Sequence, residues 1–212
     1  MNGKFISFEG PDGAGKTSVL QAIGQELSVK YGDDLVLTRE PGGNKISESI
    51  RNIILDSANT EMDARTEALL YAAARRQHLK ETVIPALESG KIVISDRYVD
   101  SSIAYQGAGR SIGEDEVWQM NQFAIDGLEP DLTVYLDIES EEGLRRIKTY
   151  RTDEINRLDV EDLEFHQRVR SSYLKLAKEN SDRIKLVDAS QPLEKVLIAV
   201  KATMLQKYPN LF

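Results

Sequence analysis

The sequence predicts an α/β fold in which a five-stranded parallel sheet has helices on both faces. Short apolar segments alternate along the chain with segments of helical periodicity, and this alternation is typical of parallel sheets. The 212 residues, 41% of them hydrophobic, suit one domain with a buried core of ordinary size. Because no linker, repeat or low-complexity tract interrupts the pattern, we predict a single domain over residues 1–212.

The predicted strands are four to six apolar residues long with polar ends. In chain order, their segments are KFISFEG, LVLTRE, KIVISDRY, PDLTVYLDI and RIKLVDA. A glycine-rich loop follows the first strand, a PGG turn follows the second, and Asp96-Arg97 closes the third. Ligands of such sheets bind beyond the carboxyl ends of the strands, so we expect the functional residues there.

The predicted helices lie between these strands. The first, KTSVLQAIGQELSVKYG, places Val19, Ile23 and Leu27 on one side, and Gly32 is suited to end it. The others are predicted at residues 46–55, about 61–89, 114–127, from 141 into a charged segment, 160–180 and 192–208. Pro192 opens the last helix, where its missing N–H costs little.

The composition excludes several classes of protein. The chain has no cysteine, so neither a disulfide framework nor a thiolate metal site is possible, and we expect a cytoplasmic location. A net charge of −8 argues against a nucleic-acid-binding surface. No segment has the pattern of a signal peptide, and no apolar run approaches the roughly 18 residues that span a bilayer. We therefore expect neither nucleic acid nor membrane as a partner.

The segment FEGPDGAGKTS matches the P-loop pattern G-x-x-x-x-G-K-[ST] between a predicted strand and a predicted helix. Such a loop wraps phosphate with its backbone N–H groups at a helix N-terminus. Lys16 is suited to reach the β- and γ-phosphates, and the Thr17 hydroxyl to ligate Mg²⁺. The residues predicted to bind a nucleoside triphosphate are Gly10, Pro11, Asp12, Gly13, Ala14, Gly15, Lys16, Thr17 and Ser18. The pattern predicts a P-loop NTPase fold, although the carboxylate of Asp12 is unexpected beside a bound anion.

The DRY triplet at the end of the third strand supplies a second set of candidates. Asp96 is suited to hold Mg²⁺ or to act on a phosphate acceptor, and Arg97 can bind an anion through two parallel hydrogen bonds. A surface ion pair is the alternative. The position of the DRY triplet beside a P-loop favours a functional role over a surface ion pair.

A charged segment at about 145–158 is predicted to be a mobile lid. Phosphoryl transfer needs positive charge on the migrating group, and Arg151 and Arg157 flank a stretch of little helical periodicity. Arg145 and Arg146 are interpreted instead as partners of nearby glutamates on a solvated helix.

Two further groups of residues carry weaker signals. Tyr71 and Arg75 are four residues apart and so share a helix face, but spacing alone favours a core tyrosine beside an exposed arginine. The segment SSIAYQG, residues 101–107, could read a base and a sugar, or could be a helix start capped by serine. His78 and His166 are too isolated for a metal pair or a catalytic triad, and we assign them no role.

Taken together, the motifs resemble those of the thymidylate kinase family over nearly the whole chain. The segments that carry the resemblance, in the family's order, are FEGPDGAGKTS, TREPGG, LLYAAARRQH, DRYVDSSIAYQG, PDLTVYLDI, NRLD and DASQPL. The resemblance implies ATP and dTMP as substrates, with Mg²⁺ as cofactor. It also implies a homodimer, for which the helix at 114–127 or the long helix before Gly90 would supply an apolar interface.

The resemblance also implies roles for individual residues. The expected acceptor-binding residues are Asp12, Arg39, Glu40, Arg51, Tyr71, Arg75, Arg97, Ser102, Tyr105 and Gln106. Among them, Tyr71 is expected to stack on thymine, Arg75 to bond its carbonyl, and Ser102 and Gln106 to contact the base. Tyr105 is expected to favour deoxyribose.

The remaining roles concern phosphate, metal and adenine. Arg97, helped by Arg39 and Arg51, is expected to bind the 5′-phosphate. Glu40 and Asp96 are expected near the metal and the acceptor, with Thr17 as the third metal residue, and Gln191 beside adenine. Asp12 is expected to face the acceptor, near its sugar hydroxyl and the arginine that binds its phosphate.

The chain departs from the family pattern at two helix positions and resembles one of its subdivisions. Tyr71 replaces the usual phenylalanine, and Ala74 replaces an acidic residue that often accompanies the base-reading arginine. Gly13 occupies the position at which some members carry a catalytic arginine. Members without that arginine rely on the lid, which here offers Arg151 and Arg157, so these two, with Lys16, Asp96 and Arg97, form the expected catalytic set.

Three alternatives remain at this point. A deoxynucleoside kinase, which phosphorylates a 5′-hydroxyl, would need a base and fewer arginines around its acceptor. A GTPase switch would need an N-K-x-D motif, but Asn44-Lys45 is followed by Ile46-Ser47. A nucleic-acid-dependent ATPase is disfavoured by net charge and size.

Overall fold

A computed structural model describes residues 2–150 and 161–212. The strands are β1 (Lys4–Glu9), β2 (Leu35–Arg39), β3 (Ile92–Asp96), β4 (Leu132–Asp137) and β5 (Ile184–Asp188). They form one sheet in the order β2-β3-β1-β4-β5, and all neighbouring pairs are parallel. The predicted five-stranded parallel sheet is therefore confirmed.

The helices fall close to their predicted ranges. They are α1 (Lys16–Tyr31), α2 (Lys45–Leu55), α3 (Ala64–His78), α4 (Ile84–Glu88), α5 (Val99–Ser102), α6 (Glu114–Ile125), α7 (Ser140–Tyr150), α8 (Leu163–Glu179) and α9 (Leu193–Lys207). The first part of the predicted lid is the end of α7, whereas residues 151–158, with Arg151 and Arg157, lie outside the described residues. In the described ranges, no helix combines the length and the apolar character needed to cross a bilayer.

Alternate strand residues pack against opposite faces of the sheet. Ile6 and Phe8 join the core beneath α1 and α9, whereas Phe5 packs in a separate core with Leu79 and Ile125. A third core, which includes Tyr135 and Tyr173, joins β4 to α8. The inner strands β1, β3 and β4 are thus buried on both faces, which explains their mostly apolar sequences, whereas the edge strands β2 and β5 are partly exposed.

Two helical segments differ in detail from their prediction. The predicted helix at 61–89 begins at Ala64, because the Asp63 side chain accepts hydrogen bonds from Arg65 N and Thr66 N as an N-cap. A π-helical turn, Leu79–Val83, joins α3 to α4. In the segment SSIAYQG, no serine caps a helix: α5 begins at Val99 and continues into a π-helical segment, Ile103–Gly109, so the serine side chains are free to bond other elements.

Two glycines let the P-loop pack directly against α7. Gly13 has φ of +81°, and a Cβ added there would lie 2.2 Å from the carbonyl oxygen of Gly143. A Cβ added to Gly143 would in turn lie 2.8 Å from the Asp12 carbonyl oxygen. A side chain at position 13 would clash with the backbone of α7 in this arrangement. The close contact therefore explains why this position holds glycine and not arginine.

The Gly13→Ala variant tests this contact against a matched glycine. Gly15 has φ of +83°, but no atom lies within 4 Å of a Cβ added there, so Gly15→Ala carries the backbone strain without the clash. We expect Gly15→Ala to lower the free energy of unfolding by about 1–2 kcal/mol and Gly13→Ala to lower it by roughly 1–3 kcal/mol more. Urea unfolding of both variants measures the difference, and equal losses would contradict the close approach of α7.

Candidate active site

A cleft opens at the carboxyl ends of β1, β2 and β3, where the sequence predicts the site. Every residue expected to bind the acceptor lines it, together with Lys16, Thr17 and Asp96. A second cleft on the other side of the loop is lined by Gly13, Gly15, Ser18 and two residues of α7. The P-loop thus forms a wall of both clefts, with Asp12, Lys16 and Thr17 lining each of them.

Arg97 lies at the centre of the first cleft. It follows the last residue of β3 with φ of +70°, a left-handed conformation that is unfavourable for a side-chain-bearing residue and often marks functional sites. Its Nη2 donates to Asp12 Oδ1 at 2.8 Å and to the Tyr105 hydroxyl at 3.1 Å. The guanidinium carbon also lies 4.8 Å from the centre of the Tyr105 ring. Asp12 therefore contacts the predicted phosphate-binding arginine, as the resemblance implies.

Arg39 and Arg51 add positive charge to the same cleft. The Arg39 side chain is 53% exposed and pairs with Glu48, whereas Arg51 Nη1 donates to the Pro41 carbonyl at 2.9 Å. Burial lowers the pKa of Arg51, and the charge of Arg39 lowers it further. Because the charges of Arg39 and Arg51 repel each other in the same cleft, binding of an anion near both of them is favourable.

Arg75 is buried and fully hydrogen-bonded, not exposed as spacing alone suggested. Its side chain is 1% exposed, and its Nε donates to Glu40 Oε2 at 2.7 Å. Its other nitrogens donate to Asn121 Oδ1, Ser102 Oγ and the Tyr98 carbonyl. Glu40, from the loop after β2, thus supplies the salt bridge that Ala74 does not.

The paired state of Glu40 argues against the metal role predicted for it. One carboxylate oxygen accepts from Arg75, and the other lies 2.9 Å from His78 Nδ1. His78 Nε2 in turn lies 2.7 Å from Thr38 Oγ1. Both oxygens of a carboxylate that is 4% exposed are therefore occupied within the protein. His78, which sequence analysis left without a role, fixes the orientation of Glu40.

Tyr71 and Gln106 both line the cleft, but they differ in their hydrogen bonding. No residue that the structure describes accepts a hydrogen bond from the Tyr71 hydroxyl, so this group remains available to a ligand. Burial raises the pKa of Tyr71, and Glu67 adds to the rise, which keeps the hydroxyl protonated. Gln106 Nε2 donates to the buried Glu67 at 2.9 Å. This bond fixes the orientation of the amide, and it leaves the amide oxygen and the second N–H for other partners.

Lys16 is buried within the P-loop. Its Nζ donates to the Gly10 carbonyl at 2.9 Å and to the Pro11 carbonyl at 3.3 Å. Burial lowers its pKa to about 8, with a further lowering by Arg97, while Asp12, Asp96 and Glu9 oppose the change. The ammonium group therefore titrates close to physiological pH when no phosphate is bound.

Asp96 fits a role as a cation ligand. Its Oδ1 is buried and has no hydrogen-bond partner among the described residues, and such an orphaned carboxylate oxygen calls for a cation or a donor from a ligand. Thr17 lines the same cleft. The described residues contain no group of three His, Cys, Asp or Glu side chains that could hold a metal. Mg²⁺ typically takes few protein ligands and completes its shell with phosphates and water.

Two functional positions were missed by sequence analysis. Glu9, at the end of β1, is fully buried and accepts hydrogen bonds from Tyr98 N, Ser101 Oγ and the Tyr173 hydroxyl. Burial raises its pKa to about 7, and Asp100 adds to the rise. A buried acidic residue at the end of an apolar strand, directly before the glycine loop, is the signal that could have identified it.

Arg146 is the second missed position. It does pair with Glu142, as expected, but it also donates to the Ala189 and Ser190 carbonyls and lines the cleft beside the loop. It therefore joins α7 to the loop that precedes Gln191. Gln191 itself donates to Asp188 at 3.0 Å and lines neither of the two clefts.

Comparisons with known proteins identify the family of the chain. The family model described as Thymidylate kinase matches residues 8–200. A thymidylate kinase of Limosilactobacillus reuteri is 64% identical over the full length of both chains, and one of Pediococcus pentosaceus is 65% identical over 92% of this chain and 94% of its own. The crystal structure of thymidylate kinase from Ehrlichia chaffeensis superposes with a TM-score of 0.79 at 35% identity, covering 96% of this chain and 98% of the other. The chain belongs to the thymidylate kinase family.

Proposed function

We propose that this protein transfers the γ-phosphoryl group of Mg·ATP to the 5′-phosphate of dTMP, giving dTDP and ADP on the route to dTTP. The observation that carries the proposal is the shared cleft, in which the P-loop lysine and three arginines surround a space lined by base-reading residues. The family membership supports the same reaction.

The cleft has the chemistry to bind a pyrimidine deoxynucleotide. The Tyr71 ring would stack on thymine, and the Gln106 amide oxygen, fixed by Glu67, would accept a hydrogen bond from the base. Tyr105, held by Asp12 and Arg97, would crowd the 2′ position of the sugar. Arg75 is held by Glu40 and Asn121 at the base end of the cleft.

Catalysis would consist of positioning and charge neutralisation. The acceptor is already an anion near neutral pH, so no strong general base is needed, and no covalent intermediate forms. Lys16 would contact the β- and γ-phosphates, and Arg97, with Arg39 and Arg51, would align the acceptor phosphate for in-line attack. We further propose that Arg151 and Arg157, which lie outside the described residues, bring positive charge to the migrating group when the lid closes and excludes water.

Mg²⁺, held by Thr17 and Asp96 together with ATP phosphates, would neutralise phosphate charge. The orphaned Asp96 Oδ1 supports this assignment. Glu40 is proposed to position Arg75 rather than to bind the metal, because both of its oxygens are paired. Gln191 is retained as the proposed neighbour of adenine, since Arg146 links its loop to the cleft that faces the P-loop.

The deoxynucleoside kinase alternative is less well supported. A 5′-hydroxyl acceptor carries no charge, and three arginines around it would have no anion to bind.

A cytoplasmic location, which the lack of cysteine suggests, stays a prediction.

The first prediction concerns acceptor and donor specificity. The protein should phosphorylate dTMP and not thymidine, with kcat/KM lower for thymidine by roughly 10⁴, because the arginines would be left without their anion. Lys16→Ala should lower kcat by at least about 10²-fold, whereas Lys207→Ala, an exposed lysine in the last turn of α9, should not. A coupled ADP-release assay measures both, and turnover of thymidine alone would refute the proposal.

The second prediction concerns pH. In the free enzyme, Lys16 has a pKa lowered to about 8, so its positive charge is present below that pH and is lost as pH rises through it. Because kcat/KM reports the ionisation of free enzyme, kcat/KM for ATP should fall above about pH 8. A profile for ATP that stays level between pH 7 and pH 9.5, at saturating dTMP, would contradict this role for Lys16.

The third prediction is a homodimer. Phe123 on α6 is 91% exposed and Leu69 on α3 is 58% exposed, and these two helices pack side by side. Large apolar side chains left in water favour a protein partner. Sedimentation should give about twice the chain mass, and Phe123→Asp should shift it to one chain mass. A monomeric wild-type protein at micromolar concentration would contradict the dimer.

A further inference from the structure

The surroundings of Arg97 Nη1 are not explained by the residues assigned so far. Nη2 faces Asp12 and Tyr105 in the cleft, whereas Nη1 donates to the Gly10 carbonyl at 3.1 Å and to Ser101 Oγ at 3.2 Å. Nη1 also reaches the Tyr173 hydroxyl of α8 at 3.4 Å. Nη1 of the guanidinium thus contacts groups from the P-loop, α5 and α8.

Glu9 controls the direction of the two hydroxyls behind Arg97. Its Oε2 accepts from Ser101 Oγ at 2.5 Å and from the Tyr173 hydroxyl at 2.9 Å. Each hydroxyl has a single hydrogen, so a hydroxyl that donates to Glu9 can only accept from Arg97 Nη1. The two hydroxyls also lie 2.9 Å from each other. The two hydroxyl bonds and the charge of Arg97 all oppose the rise that burial imposes on the pKa of Glu9.

Glu9 also holds the backbone that follows Arg97. Its Oε1 accepts from Tyr98 N at 2.6 Å, next to the left-handed φ of Arg97. One buried carboxylate therefore restrains both the main chain beside Arg97 and the hydroxyls that contact its guanidinium. A phosphate needs the planar guanidinium in one orientation for two parallel hydrogen bonds.

From this geometry, we propose that Tyr173, oriented by Glu9, is a positioning residue for Arg97 and so sets the affinity for the acceptor phosphate. The hydrogen bonds of the Tyr173 hydroxyl are with Arg97, Ser101 and Glu9. Its ring also packs edge-on against Tyr105, with ring centres 6.4 Å apart, a contact that phenylalanine would keep. The inference rests on the proposed function, since it assigns the acceptor phosphate to Arg97. Loss of the Tyr173 hydroxyl should therefore weaken dTMP and leave ATP unaffected.

A matched pair of tyrosines provides the test. Tyr173 and Tyr135 stack with ring centres 5.0 Å apart in the same core, but the Tyr135 hydroxyl donates to Asp137 instead. Tyr173→Phe and Tyr135→Phe thus remove the same group from the same aromatic cluster. Tyr173→Phe should raise the KM for dTMP about two- to tenfold, the range of one net hydrogen bond. The KM for ATP should not change, and Tyr135→Phe should change neither.

A double-mutant cycle separates positioning from a merely structural role. In an Arg97→Lys background the guanidinium is gone, so adding Tyr173→Phe should weaken dTMP binding no further. dTMP binding is measured directly by calorimetry, which needs no turnover, and urea unfolding checks that both single variants fold. Glu9→Gln, which removes the charge but keeps the size, should also raise the KM for dTMP selectively.

The outcomes are distinct. If wild-type protein does not phosphorylate dTMP, the proposed function fails. If it does, but Tyr173→Phe behaves like Tyr135→Phe, raises both KM values together, or keeps its full effect in the Arg97→Lys background, the positioning role of Tyr173 is overturned.

Discussion

The ion pair between Arg97 and Asp12 is the interaction on which the site depends. Removing a charge from water costs several kcal/mol unless the charge is paired and hydrogen-bonded. Arg97 is only 18% exposed, so the P-loop, the segment after β3 and α8 must all supply oxygens to it. These contacts link the P-loop, the segment after β3 and α8 around the cleft. The contacts that pair Arg97 in the site are therefore also contacts between separate elements of the fold.

The same constraint explains the second buried arginine. Arg75 is almost completely removed from solvent, and its pairing requires Glu40 from the loop after β2, Asn121 from α6 and Ser102 from α5. His78, one turn below Arg75 on α3, holds the other oxygen of Glu40. The base end of the cleft is consequently built from four elements, and a flexible arginine becomes a fixed one. Such pre-organisation lowers the entropic cost of binding a rigid base.

The glycine loop serves two clefts because of its position between β1 and α1. Gly15 and Ser18 line only the second cleft, whereas Asp12 lines both clefts and pairs with Arg97. This pairing accounts for a carboxylate in a loop built for anions. The contact of Gly13 with Gly143 brings α7 against the loop, so α7 reaches the donor side through Arg146. A side chain at position 13 would have no room here.

The sequence by itself determined the class of fold and the position of the P-loop, and it predicted the residues that line the cleft beside that loop. These features are local: a run of apolar residues predicts a strand, and the spacing of glycines, lysine and threonine predicts a loop geometry. Motif order then identified residues whose spacing alone predicted ordinary core or surface positions, as with Tyr71 and Arg75.

Only the tertiary structure decided which side chains pair. Arg75 meets Glu40 across 35 residues, and Glu9 meets Tyr173 across 164. No periodicity or spacing in the chain encodes such contacts, because they arise where separate strands and helices converge at one sheet edge. The pairing of Arg75 and His78 with Glu40, and of Tyr173 with Glu9, follows from that convergence. Burial makes the pairing obligatory, and burial is a property of the folded chain.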